Sequence, residues 1–323
     1  MVRRGRRLLL AAGLALLAVV GIFAYGWYGQ GPLEKEHSFL VRSGSSLAVV
    51  AQDLEKAGAI RSADAFLLRA KVFGSNDAIK AGEFLLPAGA SSARILGILQ
   101  GSEVVRRFVT IPEGMPSIMV HERLMAEPLL TGEIPVPAEG SVLPESYDFE
   151  RGESRAAVLK RMQTAMDRTL AELWAKRGPN IAVKTPREAL TLAAIVEKET
   201  GKPAERRMVA GLYSNRVKQG MMLQADPTII YPITKGKPLG RRIRQSEIQA
   251  VNDYNTYTMT GLPKGPITNP GRESIAAVLN PAKTSALYMV ADGTGGHAFA
   301  DTLDQHNANV QKWFALRRAR GEM

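Results

Sequence analysis

Apolar and polar residues alternate with different periods along the chain of 323 residues. An uncharged run from Leu8 to Tyr28 is close to the roughly 20 residues that a helix needs to cross a bilayer. Behind this run, segments with a period of two, which predicts strands, alternate with segments of period 3.6, which predicts helices. The pattern therefore predicts an α+β fold that follows a single apolar helix.

The first folded region is predicted at residues 38–101, after a short linker at 29–37. Ser46 and Gly58 are typical of the start and the end of its first helix. The order strand, helix, helix, strand resembles the LysM type of glycan-binding module, and a packing or spacer role fits the pattern equally well. The four predicted elements are His37–Arg42, a helix carrying Leu47, Val50, Leu54 and Ala57, Ala63–Phe73 and Gly82–Leu86.

A connecting subdomain at 102–140 and a larger domain at 141–323 are predicted to follow. The region 221–300 is rich in turn residues and is predicted to be mostly loop with short strands, which include Tyr288–Ala291 and His297–Ala300. The helices and the strand predicted before it are Val104–Ile111 (strand), Ser117–Met125, Arg155–Lys176, Pro186–Thr200 and Ala204–Gln219, the last followed by Gly220.

Basic residues before the apolar run predict its orientation. Four arginines lie between residues 3 and 7, and such clusters remain on the cytoplasmic side of a membrane. The run ends in bulky residues from Phe23 to Tyr28, whereas a cleaved signal peptide ends in small ones. We therefore expect residues 1–7 to form a cytoplasmic tail and 8–28 an uncleaved single-pass anchor in the inner membrane. Trp27 and Tyr28 are predicted to lie in the outer aromatic belt.

Composition narrows the chemistry and the partners. The formal charge of +11 favours an anionic partner, and an exported chain rarely meets nucleic acid, so peptidoglycan with its carboxylate-bearing stem peptides fits better. Cysteine is absent, which excludes thiolate nucleophiles and thiolate metal ligands. The four histidines lack metal-site spacing, and no cofactor motif is present, so neither a metal nor a cofactor is predicted.

Glu199 is the strongest candidate for acid–base chemistry. On the helix predicted at 186–200 it shares a face with Leu192, Ile195 and Val196. Burial there would raise the pKa of its carboxyl group, as protonation of a glycosidic oxygen near neutral pH requires. Glu197 shares its face with smaller residues and is predicted to lie nearer to solvent. Periodicity alone favours the alternative that both glutamates are surface charges near a helix end.

The loop-rich region supplies candidates for binding a carbohydrate. Tyrosines can stack on sugar faces, while amides and hydroxyls can bond to sugar hydroxyls. Hydrolytic glycosidases need a second carboxylate, for which Asp226, Glu145 and Asp253 are available. A basic loop from Lys235 to Arg244 either meets anionic stem peptides or is simply solvated. The predicted substrate-binding residues are Glu145, Gln224, Asp226, Tyr254, Asn255, Thr256, Tyr257 and His297.

Several of these motifs occur together in one known family. The segment Ala194-Ile-Val-Glu-Lys-Glu-Thr-Gly201 resembles the signature helix of the YceG-like family, the endolytic murein transglycosylases. The likeness continues in order through most of 141–312. Ala194 and Lys264 stand where serine and proline are common in the family. These departures affect the details of the substrate subsites and remove no group that the chemistry needs. The other matching segments include Leu143–Tyr147, Leu223–Thr228, Tyr254–Tyr257, Gly261–Pro263, Asn269–Gly271, Asn280–Ala282 and Gly295–His297.

The resemblance implies a membrane-anchored enzyme with a LysM-like module and a catalytic domain that has a lysozyme-like active-site helix. It implies cleavage of the β-1,4 bond between MurNAc and GlcNAc within nascent glycan strands, with 1,6-anhydro-MurNAc ends as products. It also implies that Glu199 is the catalytic acid and base, and that cell wall synthesis proteins are partners.

Two alternatives remain open from the residues. One is a hydrolytic muramidase that uses Glu199 with Asp226 or Glu145. The other is a non-catalytic scaffold that binds peptidoglycan, against which the cost of burying an unneeded carboxylate argues.

Overall fold

The predicted mixed α+β fold is confirmed by a computed structural model that describes residues 2–322, with side chains from residue 10 onward. The four N-terminal arginines, on which the predicted orientation depends, therefore have side chains outside the described residues. The chain separates into two compact units, residues 1–107 and 108–323, so the connecting segment predicted at 102–140 is divided between them.

Unit 1 begins with α1 (Val2–Tyr28), which contains one stretch, Leu10–Tyr28, long and apolar enough to cross a membrane. The strand–helix–helix–strand order is present as predicted, and the two strands pair antiparallel with Phe39 opposite Phe84. A helix after the second strand was not predicted. The elements after α1 are β1 (His37–Val41), α2 (Leu47–Lys56), α3 (Ala63–Phe73), β2 (Gly82–Leu86) and α4 (Ser92–Gln100).

The C-terminal end of α1 belongs to the core of unit 1. Trp27 is only 1% exposed, and its ring lies 5.5 Å from the ring of Phe66 on α3. The Phe23 ring lies 5.5 Å from that of Phe73, and the Arg69 guanidinium lies over the Phe23 ring. The prediction that Trp27 lies in an aromatic belt is therefore wrong, because the indole fills the hydrophobic core, whereas Tyr28 remains exposed.

Unit 2 is mostly helical, and each strand pair in the described part of the chain forms its own two-stranded sheet. Its elements in chain order are β3 (Arg107–Thr110, which starts at the unit boundary), α5 (Ser117–Ala126), β4 (Ser146–Phe149), α6 (Arg155–Ala175), α7 (Pro186–Glu199), a 3-10 turn (Pro203–Glu205), α8 (Arg206–Lys218), α9 (Asp226–Thr234), α10 (Gln245–Ile248), α11 (Arg272–Leu279), β5 (Tyr288–Ala291), β6 (His297–Ala300) and α12 (Leu303–Ala319).

Helix α7 is the central helix of unit 2. It starts where the Thr185 hydroxyl accepts a hydrogen bond from the Glu188 backbone N–H, and Pro186 occupies the first helical position, where its missing N–H costs nothing. Residues 191–196 are all buried, and α7 packs against α6, α8, α9 and α11. Because the helix is surrounded on most sides, its last residue, Glu199, is held in a fixed position.

Candidate active site

Glu199 lies at the last position of α7 and lines a cavity of about 350 Å³. The cavity is built from the end of α7, the middle of α8, the start of α9 and strand β5. Its other lining residues are Lys198, Leu212, Tyr213, Arg216, Leu223, Gln224, Asp226, Pro227, Tyr257 and Met289. Glu199 is thus the residue that brings the buried helix α7 into contact with an open, polar recess.

The environment of Glu199 keeps its carboxyl group protonated to an unusual degree. Burial raises its pKa to about 7, and the negative charge of Asp226 acts in the same direction. Hydrogen bonding from Tyr213 and the positive charge of Arg216 oppose the shift but do not cancel it. The Oε1 atom is enclosed and has no hydrogen-bond partner in the described residues. A carboxyl group of this kind can give up and take back a proton near neutral pH.

Glu197, two residues earlier, is half-buried and has a partner for each carboxylate oxygen. Its side chain is only 6% exposed, and because Glu199 is also half-buried, the predicted difference in exposure between the two glutamates is not seen. Its Oε2 accepts a hydrogen bond of 2.9 Å from the Gly271 backbone N–H, and its Oε1 lies 3.8 Å from Arg206. A side chain at Gly271 would collide with Glu113, since an added Cβ would lie 2.1 Å from its Oε1. Glu197 therefore holds the 271 turn against α7.

Three of the predicted binding residues line the cavity together with Glu199. The Tyr257 hydroxyl donates a 2.6 Å hydrogen bond to Oδ1 of Asp226, and burial together with this bond raises the tyrosine pKa. Gln224 adopts a left-handed backbone conformation, with φ of 52°, directly before the start of α9. Asp226 is exposed, so a second carboxylate faces the same recess as Glu199.

Asn255 and Thr256 are placed in the loop scaffold rather than at the cavity surface. Both residues are 0% exposed. The Asn255 amide donates to three backbone carbonyls, and the Thr256 hydroxyl accepts a bond from the Ala225 backbone N–H. Their polar atoms bond to other parts of the protein and not to the cavity, contrary to the predicted bonding to sugar hydroxyls. The two residues instead hold Tyr257 and the start of α9 in place.

The remaining predicted residues lie elsewhere on unit 2. The Tyr254 ring packs 4.8 Å from that of Tyr231. Glu145 is exposed next to β4, and Asp253 forms an exposed ion pair with Lys264. None of these three lines the Glu199 cavity among the described residues.

His297 lies on the β5–β6 hairpin, which was predicted correctly. Its Nδ1 lies 2.9 Å from Glu205 Oε2, and its backbone N–H donates to the other oxygen of that carboxylate. Because Met289 pairs with Phe299, His297 shares a face of the hairpin with Met289, which lines the cavity. These two contacts with Glu205 connect the hairpin to the 3-10 turn that follows α7.

Tyr213, Arg216 and Glu205 were not identified as site residues from the sequence. Tyr213 and Arg216 lie three residues apart on the helix predicted at 204–219 and therefore share a face. An arginine on this otherwise apolar face was the feature of the sequence that could have indicated a site. Arg216 is buried, and its Nη1 donates a 2.7 Å bond to the Leu223 carbonyl. Among the described residues, no group of three or more His, Cys, Asp or Glu side chains could hold a metal ion.

These features define a mixed α+β protein whose site is a polar cavity around one enclosed, protonatable glutamate. The YceG-like family model matches residues 39–312, which is most of the chain. The chain therefore belongs to the YceG-like family.

Proteins with related sequences and a related structure are known. An endolytic murein transglycosylase of Bacillus subtilis (strain 168) is 27% identical, over 93% of this chain and 92% of the relative. One from Streptococcus pneumoniae (serotype 2, strain D39) is 29% identical over 92% of this chain, which spans 63% of that relative. A crystal structure of a YceG-like protein from Listeria monocytogenes superposes with a TM-score of 0.54, at 26% identity, over 85% of this chain and 98% of the other.

Proposed function

We propose that this protein is an endolytic lytic transglycosylase that cleaves the MurNAc–GlcNAc β-1,4 bond within nascent peptidoglycan strands. The observation that carries the proposal is the enclosed carboxyl group of Glu199, whose pKa is raised to about 7, so that its protonated and ionised forms coexist near neutral pH. The names of the relatives in Bacillus subtilis and Streptococcus pneumoniae support the substrate.

In the proposed reaction Glu199 acts twice. Its carboxyl proton moves to the bridging oxygen while the bond from that oxygen to the anomeric carbon of MurNAc breaks, and GlcNAc leaves with a free hydroxyl. The resulting carboxylate then removes the proton from the 6-hydroxyl of the same MurNAc, whose oxygen bonds to the anomeric carbon. The product is a 1,6-anhydro end, no water is consumed, and Glu199 is again protonated.

Asp226 favours a second candidate, a hydrolytic muramidase, because its carboxylate faces the same cavity. Mass analysis of the products from purified glycan strands distinguishes the two reactions. We expect 1,6-anhydro-MurNAc ends, which are 18 Da lighter than hydrolysed ends by the mass of the water that is not added. Reducing ends, together with loss of cleavage in Asp226→Asn, would establish the hydrolytic reaction instead.

The pH profile should follow the Glu199 proton. Because the group must be protonated to start the reaction, kcat/KM should fall as the pH rises through about 7. The Asp226 charge raises this pKa, so Asp226→Asn should shift the alkaline limb of the profile to lower pH. Rates of release of soluble fragments between pH 5 and 9 would measure both effects.

Asp253→Asn is the matched control for this shift, because Asp253 is exposed, pairs with Lys264 and does not line the cavity. Its profile should coincide with that of the unmodified chain. An alkaline limb that stays in place in Asp226→Asn would contradict the assignment of that limb to Glu199.

We further propose where the reaction takes place. Helix α1 is the single-pass inner-membrane anchor, with the N-terminus cytoplasmic and the chain after α1 periplasmic, and residues 38–101 form a LysM-like module. Unit 2 carries the active site at the end of α7, which acts as a lysozyme-like active-site helix. The glycan strands that the enzyme cuts lie close to the membrane. Proteins of cell wall synthesis are the expected partners there.

A further inference from the structure

The aliphatic part of α1 that precedes its contact with α3 is too short to cross a membrane alone. The exposed aliphatic residues of α1 end at Ile22, because Phe23 and Trp27 pack against α3, while Tyr25 and Tyr28 remain exposed. From Leu8 to Ile22 the helix rises about 22 Å, whereas the hydrocarbon core of a bilayer is about 30 Å thick. If α1 is the anchor proposed above, the missing length is supplied by the part of α1 that is packed against α3.

The surface of α3 beside this contact is suited to a membrane. Leu68 and Val72, one helical turn apart, are 56% and 61% exposed, more than any other large apolar residue in the described part of unit 1 outside α1. Arg61, Arg69 and Lys71 lie along the same segment and form no ion pair in the described residues. Apolar side chains flanked by unpaired cations are typical of segments in the headgroup region.

A recess of about 210 Å³ opens between the end of α1 and the start of α3. Its lining includes Tyr25, Ser62 and the two arginines Arg61 and Arg69. The Nε atom of Arg69 is enclosed and has no hydrogen-bond acceptor among the described residues. An arginine with an unsatisfied N–H, beside the end of the proposed anchor, suits the phosphate of a phospholipid headgroup.

We infer that the α3 surface, made of Arg61, Leu68, Arg69, Lys71 and Val72, is seated in the outer headgroup layer of the membrane that α1 crosses, with a phospholipid phosphate in the adjoining recess. Unit 1 is then a membrane-contacting domain and not a free module on a tether. This inference rests on the proposed anchor and is independent of the chemistry at Glu199.

The absence of native cysteine allows a clean test with single labels. The full chain is reconstituted into phospholipid vesicles as Leu68→Cys, Val72→Cys or, as control, Leu40→Cys, each carrying an environment-sensitive fluorophore. Leu40 is an exposed leucine of unit 1 on β1, a strand that is not part of the α3 surface. Phosphatidylcholine spin-labelled near its headgroup serves as the quencher.

We expect quenching at positions 68 and 72 to exceed that at position 40 severalfold. Equal quenching at all three positions, in protein that resists extraction by alkaline wash, would overturn the seating of α3 and leave the anchor intact. Protein that the wash extracts would overturn the anchor and the seating together. Free phosphate should not reduce the quenching. A reduction would show that the recess binds a soluble anion and would overturn the assignment of a phospholipid phosphate to it.

Discussion

Replacing Glu199 with Gln is expected to lower the rate of glycan cleavage by at least about 10³-fold, because one group supplies both proton transfers. Glutamine has nearly the same shape but cannot donate a proton to the bridging oxygen or accept one from the 6-hydroxyl. Burial raises the pKa of this carboxyl group to about 7, so the fold already accommodates its neutral form, and the neutral amide should leave the fold intact. Fragment release from purified strands would measure the rate, and circular dichroism the fold.

Glu188→Gln is the matched control on the same helix. Glu188 accepts a 2.6 Å bond from the Lys184 backbone N–H, and the glutamine oxygen can accept the same bond. This variant should cleave glycan at the unmodified rate. Substantial cleavage by Glu199→Gln, in a folded protein, would move the proton donor to another residue and remove the basis of the proposed function.

Asn255→Ala is expected to lower the free energy of unfolding of unit 2 by about 3 kcal/mol. The Asn255 amide donates bonds of 2.9 and 2.7 Å to the carbonyls of Ile248 and Ala250, and its Oδ1 accepts 3.0 Å from the Tyr257 backbone N–H. At 0% exposure no water can replace these partners, so the substitution leaves several buried polar groups unsatisfied. Urea denaturation would measure the loss.

Asn307→Ala provides the comparison, since Asn307 is exposed on α12 and the change should stay within about 0.5 kcal/mol. The experiment also separates the two interpretations of Asn255. If Asn255 bound sugar directly, its substitution would raise KM and leave the free energy of unfolding unchanged. The contacts of Asn255 predict the opposite result.

Local signals predicted the elements whose ends are chemically marked. Ser46 caps the helix it was expected to cap, and α3, β2, β5 and β6 have the predicted bounds. Helix α9 was missed because Pro227 and Pro232 resemble loop residues, although the first lies in the opening turn, where proline is tolerated. Helix α12 was missed because it has no buried residue and hence no clear apolar face.

At the site, the apolar helix face predicted the enclosure of Glu199, whereas prediction failed for polar residues that have more than one use. Glu199 is distinguished by three bulky neighbours on its face. Asn255 and Thr256 have the same composition whether they bond to a sugar or to a backbone carbonyl. The contacts of Glu197 were not predicted, because its partners Gly271 and Arg206 lie outside α7. Periodicity along a helix gives no information on such partners.

The burial of Trp27 decides where a water-soluble version of this protein should begin. A chain cut after Tyr28, at the end of the apolar run, would lose the indole that covers Phe66 and open a hole in the core of unit 1. A chain starting near Ile22 would keep Phe23 and Trp27 while discarding most of the exposed aliphatic residues of α1. The natural border between the removable and the indispensable part thus lies inside helix α1, more than a helical turn before its end.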